Sequence, residues 1–247
     1  MIPSNDASGN AGSATGHLFV DAFIRNAHRI LFGGYHRLDA PAYQSSEEDE
    51  ITGDLAREMM NCIAGSSEPW MQYCQVHDQH PVTAQCGPRA ARRVGKRRPK
   101  IDLQFVANNG GGFLRFSWEA KRLGRGHGLS AYFGPAGLGC FLSGQYASDC
   151  GFGGMIGYVQ HGELNAWKLD IRARLESEFD QAGTTPDSSR IVQLGSLHAR
   201  PELGKRIAIH HTLLLFGGNE DASNSHRAIQ PGKRTISSRL NSEPRGV

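Results

Sequence analysis

The sequence predicts an α/β protein in which a central mixed sheet is flanked by helices, and three observations support this prediction. Apolar and polar residues alternate at period two through residues 101–121, which is typical of half-buried strands. Apolar residues recur at helical spacing in residues 17–32 and in residues 51–62, which is typical of amphipathic helices. The apolar runs at residues 191–197 and 206–216 predict two late strands.

Length and composition suit one domain with polar tails. The chain has 247 residues with a hydrophobic fraction of 38%, enough for a core of its own. We expect the domain to cover residues 17–216, with disordered segments at 1–16 and 217–247. No signal peptide or bilayer-spanning apolar run is found, and the five cysteines follow no disulfide-like pattern. A cytoplasmic protein without membrane contact is expected, and a homodimer is left open.

Two helices are predicted before the central strands. The first covers residues 17–32, and the Gly33-Gly34 pair is expected to end it. The second is predicted to start within residues 45–50, where serines would cap the first turn and acids would complement the helix dipole. Its apolar face would consist of Ile51, Leu55, Met59 and Cys62.

The centre of the chain is predicted to form a β-hairpin whose turn is the Asn/Gly-rich segment 108–112. The apolar residues of both strands would share one face of the sheet: Ile101, Leu103, Phe105, Phe116, Trp118 and Ala120. Because side chains alternate along a strand, Asp102, Glu119 and Lys121 would share the other face.

Charges on a buried sheet face are costly, on the order of several kcal/mol each when unpaired, so this group predicts a site rather than packing. Asp102 and Glu119 would supply oxygen ligands to a hard divalent cation such as Mg²⁺, and the carbonyl of Ala120 would add another. Lys121 would orient or deprotonate an attacking water, with its pKa lowered by burial and by the cation.

Further strands and helices are predicted from apolar runs in the rest of the chain. Residues 70–76 and 155–159 are expected to be strands, and residues 138–147 and 163–179 are expected to be helices. In the last predicted strand, the adjacent His210 and His211 would face opposite ways, and one of them is interpreted as a hydrogen-bonded buried histidine.

A cluster of cysteines and histidines follows the first predicted strand: Cys74, His77, His80 and Cys86. Their spacing matches no common tetrahedral zinc pattern. A histidine-rich connecting loop is therefore the favoured interpretation, and zinc binding is left open.

A basic arm stands directly before Asp102 and contains seven cationic residues without an acid from Arg89 to Lys100. Its candidate nucleic-acid-binding residues are Arg92, Arg93, Lys96, Arg97 and Arg98. Arginine forks suit phosphate oxygens, and such contacts bind a polyanion without reading its sequence. The alternatives are a solvated charge run or a localisation signal.

Asp102 followed by Glu119-Ala120-Lys121 on an adjacent strand resembles the PD-(D/E)XK nuclease superfamily, although Pro99 stands three residues before the aspartate instead of directly before it. The resemblance implies a restriction-endonuclease-like core and a third acidic ligand from the helix ahead of the hairpin. Glu48 suits that role because it lies three residues before Ile51, on the apolar face. Glu47 is the second choice, and Glu50 is left open.

Residues 48–180 are similar to small restriction-like nucleases of bacterial antiviral defence, through Glu-x-Lys-Arg-Leu, Leu-x-x-Phe-x-x-Gly-x-Tyr and Gly-Met-Ile-Gly-Tyr-Val. The resemblance implies a Mg²⁺-dependent endonuclease, with Mn²⁺ as a substitute, that acts on DNA in preference to RNA and associates with other defence subunits. Gln145, Tyr146 and Gln160 are further candidates for nucleic-acid contact. The alternatives are a catalytically inactive nucleic-acid-binding or scaffold protein on the same fold, and an enzyme acting on a small phosphorylated molecule.

Overall fold

The computed structural model describes residues 11–82, 99–108, 112–175, 178–179 and 189–217. The helices are α1 (Ala11–Arg37), α2 (Glu48–Ala64), α3 (Leu129–Phe133), α4 (Leu138–Leu142) and α5 (Leu164–Arg172), with short 3₁₀ turns at Ala40–Tyr43, Pro69–Tyr73 and Pro201–Leu203. The strands are β1 (Cys74–Pro81), β2 (Lys100–Asn108), β3 (Phe113–Leu123), β4 (Phe152–Val159), β5 (Glu178–Phe179), β6 (Ile191–Arg200) and β7 (Lys205–Leu215).

The described strands form one open mixed sheet in the order β1-β2-β3-β4-β7-β6-β5. β1, β2 and β3 make an antiparallel meander, and β4 lies parallel to both β3 and β7. The two-residue β5 and the long β6 complete the sheet in antiparallel fashion. The predicted α/β architecture with a central mixed sheet flanked by helices is confirmed.

The central hairpin has the predicted facing. Leu103 pairs with Trp118 and Phe105 pairs with Phe116, and all four side chains are fully buried. Ile101 is an exception, because it packs in the core on the opposite side of the sheet. The pairing of β1 with β2 skips Gln79 and Asp102, and the register of β2 with β3 begins at Leu103, so the alternation of β2 is interrupted at Asp102.

Helix α1 does not end at Gly33-Gly34 as predicted. It continues to Arg37, and it begins at Ala11, six residues before the predicted start at residue 17. A Cβ atom on Gly34 would lie 2.6 Å from Cγ of Met59, and one on Gly33 would lie 3.1 Å from Sγ of Cys62. The two glycines therefore allow α1 and α2 to approach closely. The predicted tails at residues 1–10 and 218–247 lie outside the described residues.

Helix α2 begins at Glu48, and the residue that caps it is Glu47. The predicted serine cap is wrong, because Ser46 lies further upstream and its carbonyl accepts a hydrogen bond from Gln160. Ile51, Leu55 and Met59 are fully buried as predicted, whereas Cys62 is half-buried.

Three further boundaries differ from the prediction. A 3₁₀ turn that starts at Pro69 precedes β1, so the strand begins at Cys74 rather than at residue 70. Helix α4 ends at Leu142, before Gly144 adopts a positive φ of 73°. Helix α5 ends at Arg172 instead of residue 179, because residues 178–179 pair with β6.

Each face of the sheet carries its own apolar core. Helices α1 and α2 pack on the side of Phe105 and Trp118, and α3, α4 and α5 pack on the side of Met155 and Val159. Within the described residues, no helix is both long and apolar enough to cross a membrane.

Candidate active site

The predicted site residues come together where β2, β3 and the start of α2 meet. The Lys121 ammonium lies 2.8 Å from Oε1 of Glu119 and 2.9 Å from Oε1 of Glu48. It lies 3.8 Å from Oδ2 of Asp102 and donates a hydrogen bond to the Ala120 carbonyl. We call Glu48, Asp102, Glu119 and Lys121 the carboxylate cluster.

Asp102 is fixed by the neighbouring strands. The backbone N–H of Ala120 donates to Oδ2 of Asp102 at 2.8 Å, and the side-chain amide of Gln79 donates to Oδ1 at 3.3 Å. Gln79 adopts a positive φ of 48° in β1, where residues 78 and 80 pair with residues 103 and 101 of β2. A side chain that the sequence did not single out thus helps to orient the aspartate.

Glu48 is held in place by one contact with β3 and by one contact within its own helix, α2. Its Oε2 accepts a hydrogen bond from the backbone N–H of Arg122 at 3.2 Å. The Thr52 hydroxyl donates to the Glu48 carbonyl at 2.7 Å and forms a 2.9 Å hydrogen bond with the Tyr158 hydroxyl. Glu47 instead pairs with the Arg122 guanidinium at 2.6 Å, so Glu48 is the acid that this turn contributes to the cluster.

Two residues predicted to contact nucleic acid are buried and hold the site elements in place. The Gln160 amide donates to the carbonyls of Tyr43 and Ser46 at 2.9 Å and 2.8 Å, which anchors the segment that leads into α2. The Tyr146 hydroxyl donates to the Lys100 carbonyl at 2.5 Å, two residues before Asp102. The Gln160 NH2 group and the Tyr146 hydroxyl are therefore engaged inside the protein.

The electrostatics of Glu119 are unusual for a carboxylate. Burial raises its pKa to about 8, the negative charge of Asp102 acts in the same direction, and Lys121 opposes both. Its Oε2 atom is buried, and no donor among the described residues supplies it with a hydrogen bond. Near neutral pH the protein therefore holds Glu119 close to its titration point, with one oxygen atom available to a cation or a proton.

Lys121 behaves differently from the prediction. Burial disfavours its charge, but the combined charges of Glu119, Glu48 and Asp102 outweigh burial and raise its pKa. Burial therefore does not lower the pKa of Lys121 overall, and the lowering expected from a bound cation stays a prediction. Lys121 is an ammonium ion here, and an ammonium donates hydrogen bonds rather than accepting a proton.

The donor chemistry of the cluster fits a hard cation. Glu48, Asp102, Glu119 and the Ala120 carbonyl present oxygen atoms around one point, which is the ligand type that Mg²⁺ prefers. The unpaired Oε2 of Glu119 supports this fit. Across the described residues, however, no three His, Cys, Asp or Glu side chains are arranged to hold a metal ion. The Lys121 ammonium lies among the oxygen atoms, so metal binding would require it to move.

Other predicted residues lie apart from the cluster. The basic arm residues Arg92, Arg93, Lys96, Arg97 and Arg98 are outside the described residues, as is Cys86. Cys74 is buried and its thiol donates to the Trp70 carbonyl, and the rings of His77 and His80 lie 5.2 Å apart.

The histidines of β7 face opposite sides of the sheet, as predicted. His210 lies 5.2 Å from the ring of His28, whereas His211 forms hydrogen bonds with Tyr132 at 3.0 Å and Ser196 at 2.7 Å. Ser196 also bonds to His198 at 2.7 Å. We call Tyr132, His211, Ser196 and His198 the histidine chain.

The chain was compared with protein-family models, with curated proteins and with solved structures, and none of the three comparisons gives a match. The geometry of the carboxylate cluster and the motif that the sequence carries are therefore the two observations that bear on function.

Proposed function

We propose that this protein is a Mg²⁺-dependent endonuclease that hydrolyses phosphodiester bonds of DNA on a restriction-endonuclease-like core. The observation that supports it is the meeting of three carboxylates, from α2, β2 and β3, around the ammonium of Lys121. A helix that carries an acid ahead of a hairpin that carries Asp and Glu-x-Lys is the arrangement that the resemblance implies. A role in antiviral defence rests on the resemblance alone.

Each residue has a distinct part in this proposal. Glu48, Asp102, Glu119 and the Ala120 carbonyl would hold the metal, and bound Mg²⁺ would polarise a phosphoryl oxygen. Lys121 would move out from among the metal ligands and, as an ammonium, would donate hydrogen bonds that orient the attacking water or stabilise the charge on the phosphate. The Ala120 N–H and Gln79 keep Asp102 in position throughout.

The test is cleavage of plasmid and oligonucleotide DNA with Mg²⁺, Mn²⁺ or a chelator. Asp102→Ala and Glu119→Ala are expected to abolish cleavage, because each removes a metal ligand. Lys121→Ala is expected to be nearly inactive yet to bind metal and DNA. Glu48→Ala should fall between these extremes.

Glu50→Ala is the matched control, since Glu50 lies exposed on the same helical turn as Glu48. It is expected to cleave like the wild type. Full metal-dependent activity of Lys121→Ala would show that this Glu-x-Lys is not the catalytic motif.

One observation favours a second candidate, a nucleic-acid-binding or scaffold protein without catalysis. Lys121 already neutralises much of the negative charge of the cluster. Among the described residues, no three carboxylates are arranged to hold a metal ion. A wild-type protein that binds DNA but cleaves none with either metal would favour this candidate over the nuclease.

A further inference from the structure

A pocket of about 640 Å³ lies between α1, the 3₁₀ turn Pro69–Tyr73 and the end of β2. Its α1 wall is a single helix face, because the residues that form it recur at offsets of three, four and seven: Phe19, Ala22, Phe23 and Asn26. Ligand pockets in proteins enclose about 300 to 1,000 Å³. The volume therefore suits a small organic molecule.

This pocket is separate from the carboxylate cluster. No cluster residue is among the described residues that line it, and β2 contributes only Ala107 and Asn108 to that lining. Ala107 follows Asp102 by five positions along β2, which is a separation of about 17 Å. A molecule in this pocket would not touch the groups to which cleavage is assigned.

Contacts behind the pocket hold two of its aromatic side chains in place. The Trp70 indole N–H donates to Oε2 of Glu68 at 2.6 Å. The Arg29 guanidinium pairs with the same oxygen atom at 2.7 Å and lies 5.2 Å from the centre of the indole ring. Phe23 stacks on Phe105 of the core, with ring centroids 5.5 Å apart. The pocket is therefore preformed, so a ligand would order few side chains on entry.

The lining restricts the chemistry of a ligand. Phe19 and Tyr73 are 45% and 57% exposed, so their rings are accessible from the pocket. Asn26 is half-buried, and its side-chain amide has no hydrogen-bond partner among the described residues. None of the described lining residues is charged, so an ion would lose hydration here without gaining a counter-charge.

We propose that this pocket binds an uncharged aromatic molecule with a hydrogen-bonding group on the edge of its ring. The ring would pack against Phe19, Trp70 and Tyr73, because aromatic rings attract one another beyond the area that they bury. The edge group would bind the amide of Asn26, which supplies both a donor and an acceptor. A purely aliphatic ligand would fill the volume but would leave that amide unpaired.

The experiment measures binding of N-phenyl-1-naphthylamine to the full chain, through the rise in its fluorescence when it enters an apolar site. This probe is uncharged and aromatic and carries one N–H group. The comparison probe is 8-anilinonaphthalene-1-sulfonate, which has the same rings and a negative charge. The uncharged probe is expected to bind about tenfold more tightly, because the pocket offers no counter-charge.

Two variants change the pocket in different ways. Ala22→Phe is expected to weaken binding of the uncharged probe at least about tenfold, because the new ring occupies the pocket from the α1 wall. Asn26→Leu keeps the size of the side chain but removes the amide, and it is expected to weaken binding about fivefold.

Leu169→Ala is the matched control for both variants. Leu169 is 62% exposed on α5, which packs on the other face of the sheet, so it offers an accessible apolar side chain outside the pocket. Its replacement is expected to change the affinity less than twofold.

Four outcomes would overturn the inference: no binding of the uncharged probe, equal affinity for both probes, equal losses in Ala22→Phe and Leu169→Ala, or unchanged affinity in Asn26→Leu. A chain that sediments as a dimer, becomes monomeric in Ala22→Phe and takes up no probe would instead assign the pocket to a second copy. Probe binding does not depend on cleavage, so failure of the proposed nuclease function would leave this inference standing.

Discussion

The carboxylate cluster and the histidine chain are both buried polar groups that join neighbouring strands, yet they satisfy their polar atoms in opposite ways. Both ring nitrogens of His211 have hydrogen-bond partners, and burial lowers the pKa of His211 to about 3, so this histidine is neutral at pH 7. In the cluster, Glu119 has an oxygen atom without a donor and a pKa raised to about 8. A buried histidine with both nitrogens hydrogen-bonded is typical of a packed core. A buried carboxylate with an unpaired oxygen atom and a shifted pKa is typical of a ligand-binding site.

This contrast has a consequence for the pH dependence of stability. Histidines with lowered folded-state pKa values contribute stability that is present above the ordinary pKa of 6.5 and is lost as the pH falls toward 3. Glu119, with a raised pKa, contributes stability that is present below its ordinary pKa of 4.5 and is lost as the pH rises through 8. The two regions therefore change the free energy of unfolding in opposite directions.

The largest expected effect comes from breaking the histidine chain. His211→Ala would leave a cavity and would remove hydrogen bonds from Tyr132 and Ser196, so we expect it to lower the free energy of unfolding by about 3 kcal/mol. Urea unfolding monitored by circular dichroism measures this loss. His36→Ala, at an exposed position of α1, should change stability by less than about 0.5 kcal/mol. Equal effects of His211→Ala and His36→Ala would contradict a structural role for the histidine chain.

The second prediction isolates Glu119 by choice of pH. Between pH 6.5 and 8 we expect the unfolding free energy of the wild type to fall by on the order of 1 to 2 kcal/mol relative to that of Glu119→Gln, because the contribution of the buried histidines is the same in both proteins and cancels. Glu119→Gln should lack this fall, because the amide cannot ionise. Urea titrations of both proteins at several pH values in this window measure it, and an equal slope in the two would show that another group is responsible.

The smallest expected effect is the response to Mg²⁺. At a concentration ten times the dissociation constant, the ion should raise the unfolding free energy of the wild type by about 1.4 kcal/mol. The gain should be larger at pH 8 than at pH 6, because protons compete for Glu119. A thermal-shift titration measures the stabilisation by Mg²⁺. Glu119→Gln should lose this stabilisation, and His36→Ala should keep it. Stabilisation that is the same in Glu119→Gln would place the ion elsewhere.

The sequence predicted the members of the cluster because local periodicity determines them. Alternation along β3 places Glu119 and Lys121 on a common side, and a three-residue offset from Ile51 places Glu48 on the inner face of α2. The alternation of β2 is interrupted at Asp102, which reaches the cluster through its hydrogen bond with the Ala120 N–H. Such patterns report which way a side chain points, and the hairpin register then brings the strands together.

The roles that the sequence analysis missed depend on contacts between distant parts of the chain. Gln160 reaches Tyr43 across 117 positions, and Tyr146 reaches Lys100 across 46, so no local pattern reveals either contact. The same applies to Gly34, whose fit against α2 overrides the usual tendency of paired glycines to end a helix. The raised pKa of Lys121 was missed because it depends on three charges that only the fold brings together.

The position of β7 between β4 and β6 also sets the order in which the protein can be completed on the ribosome. β4 is buried along nearly its whole length and pairs with β3 on one side, but its other edge stays open until Lys205–Leu215 has been synthesised. Open, apolar strand edges are prone to wrong pairing, which makes this stage of synthesis the most vulnerable to aggregation. A nascent chain that stalls there would already carry Glu48, Asp102, Glu119 and Lys121 but not the finished sheet that holds them together.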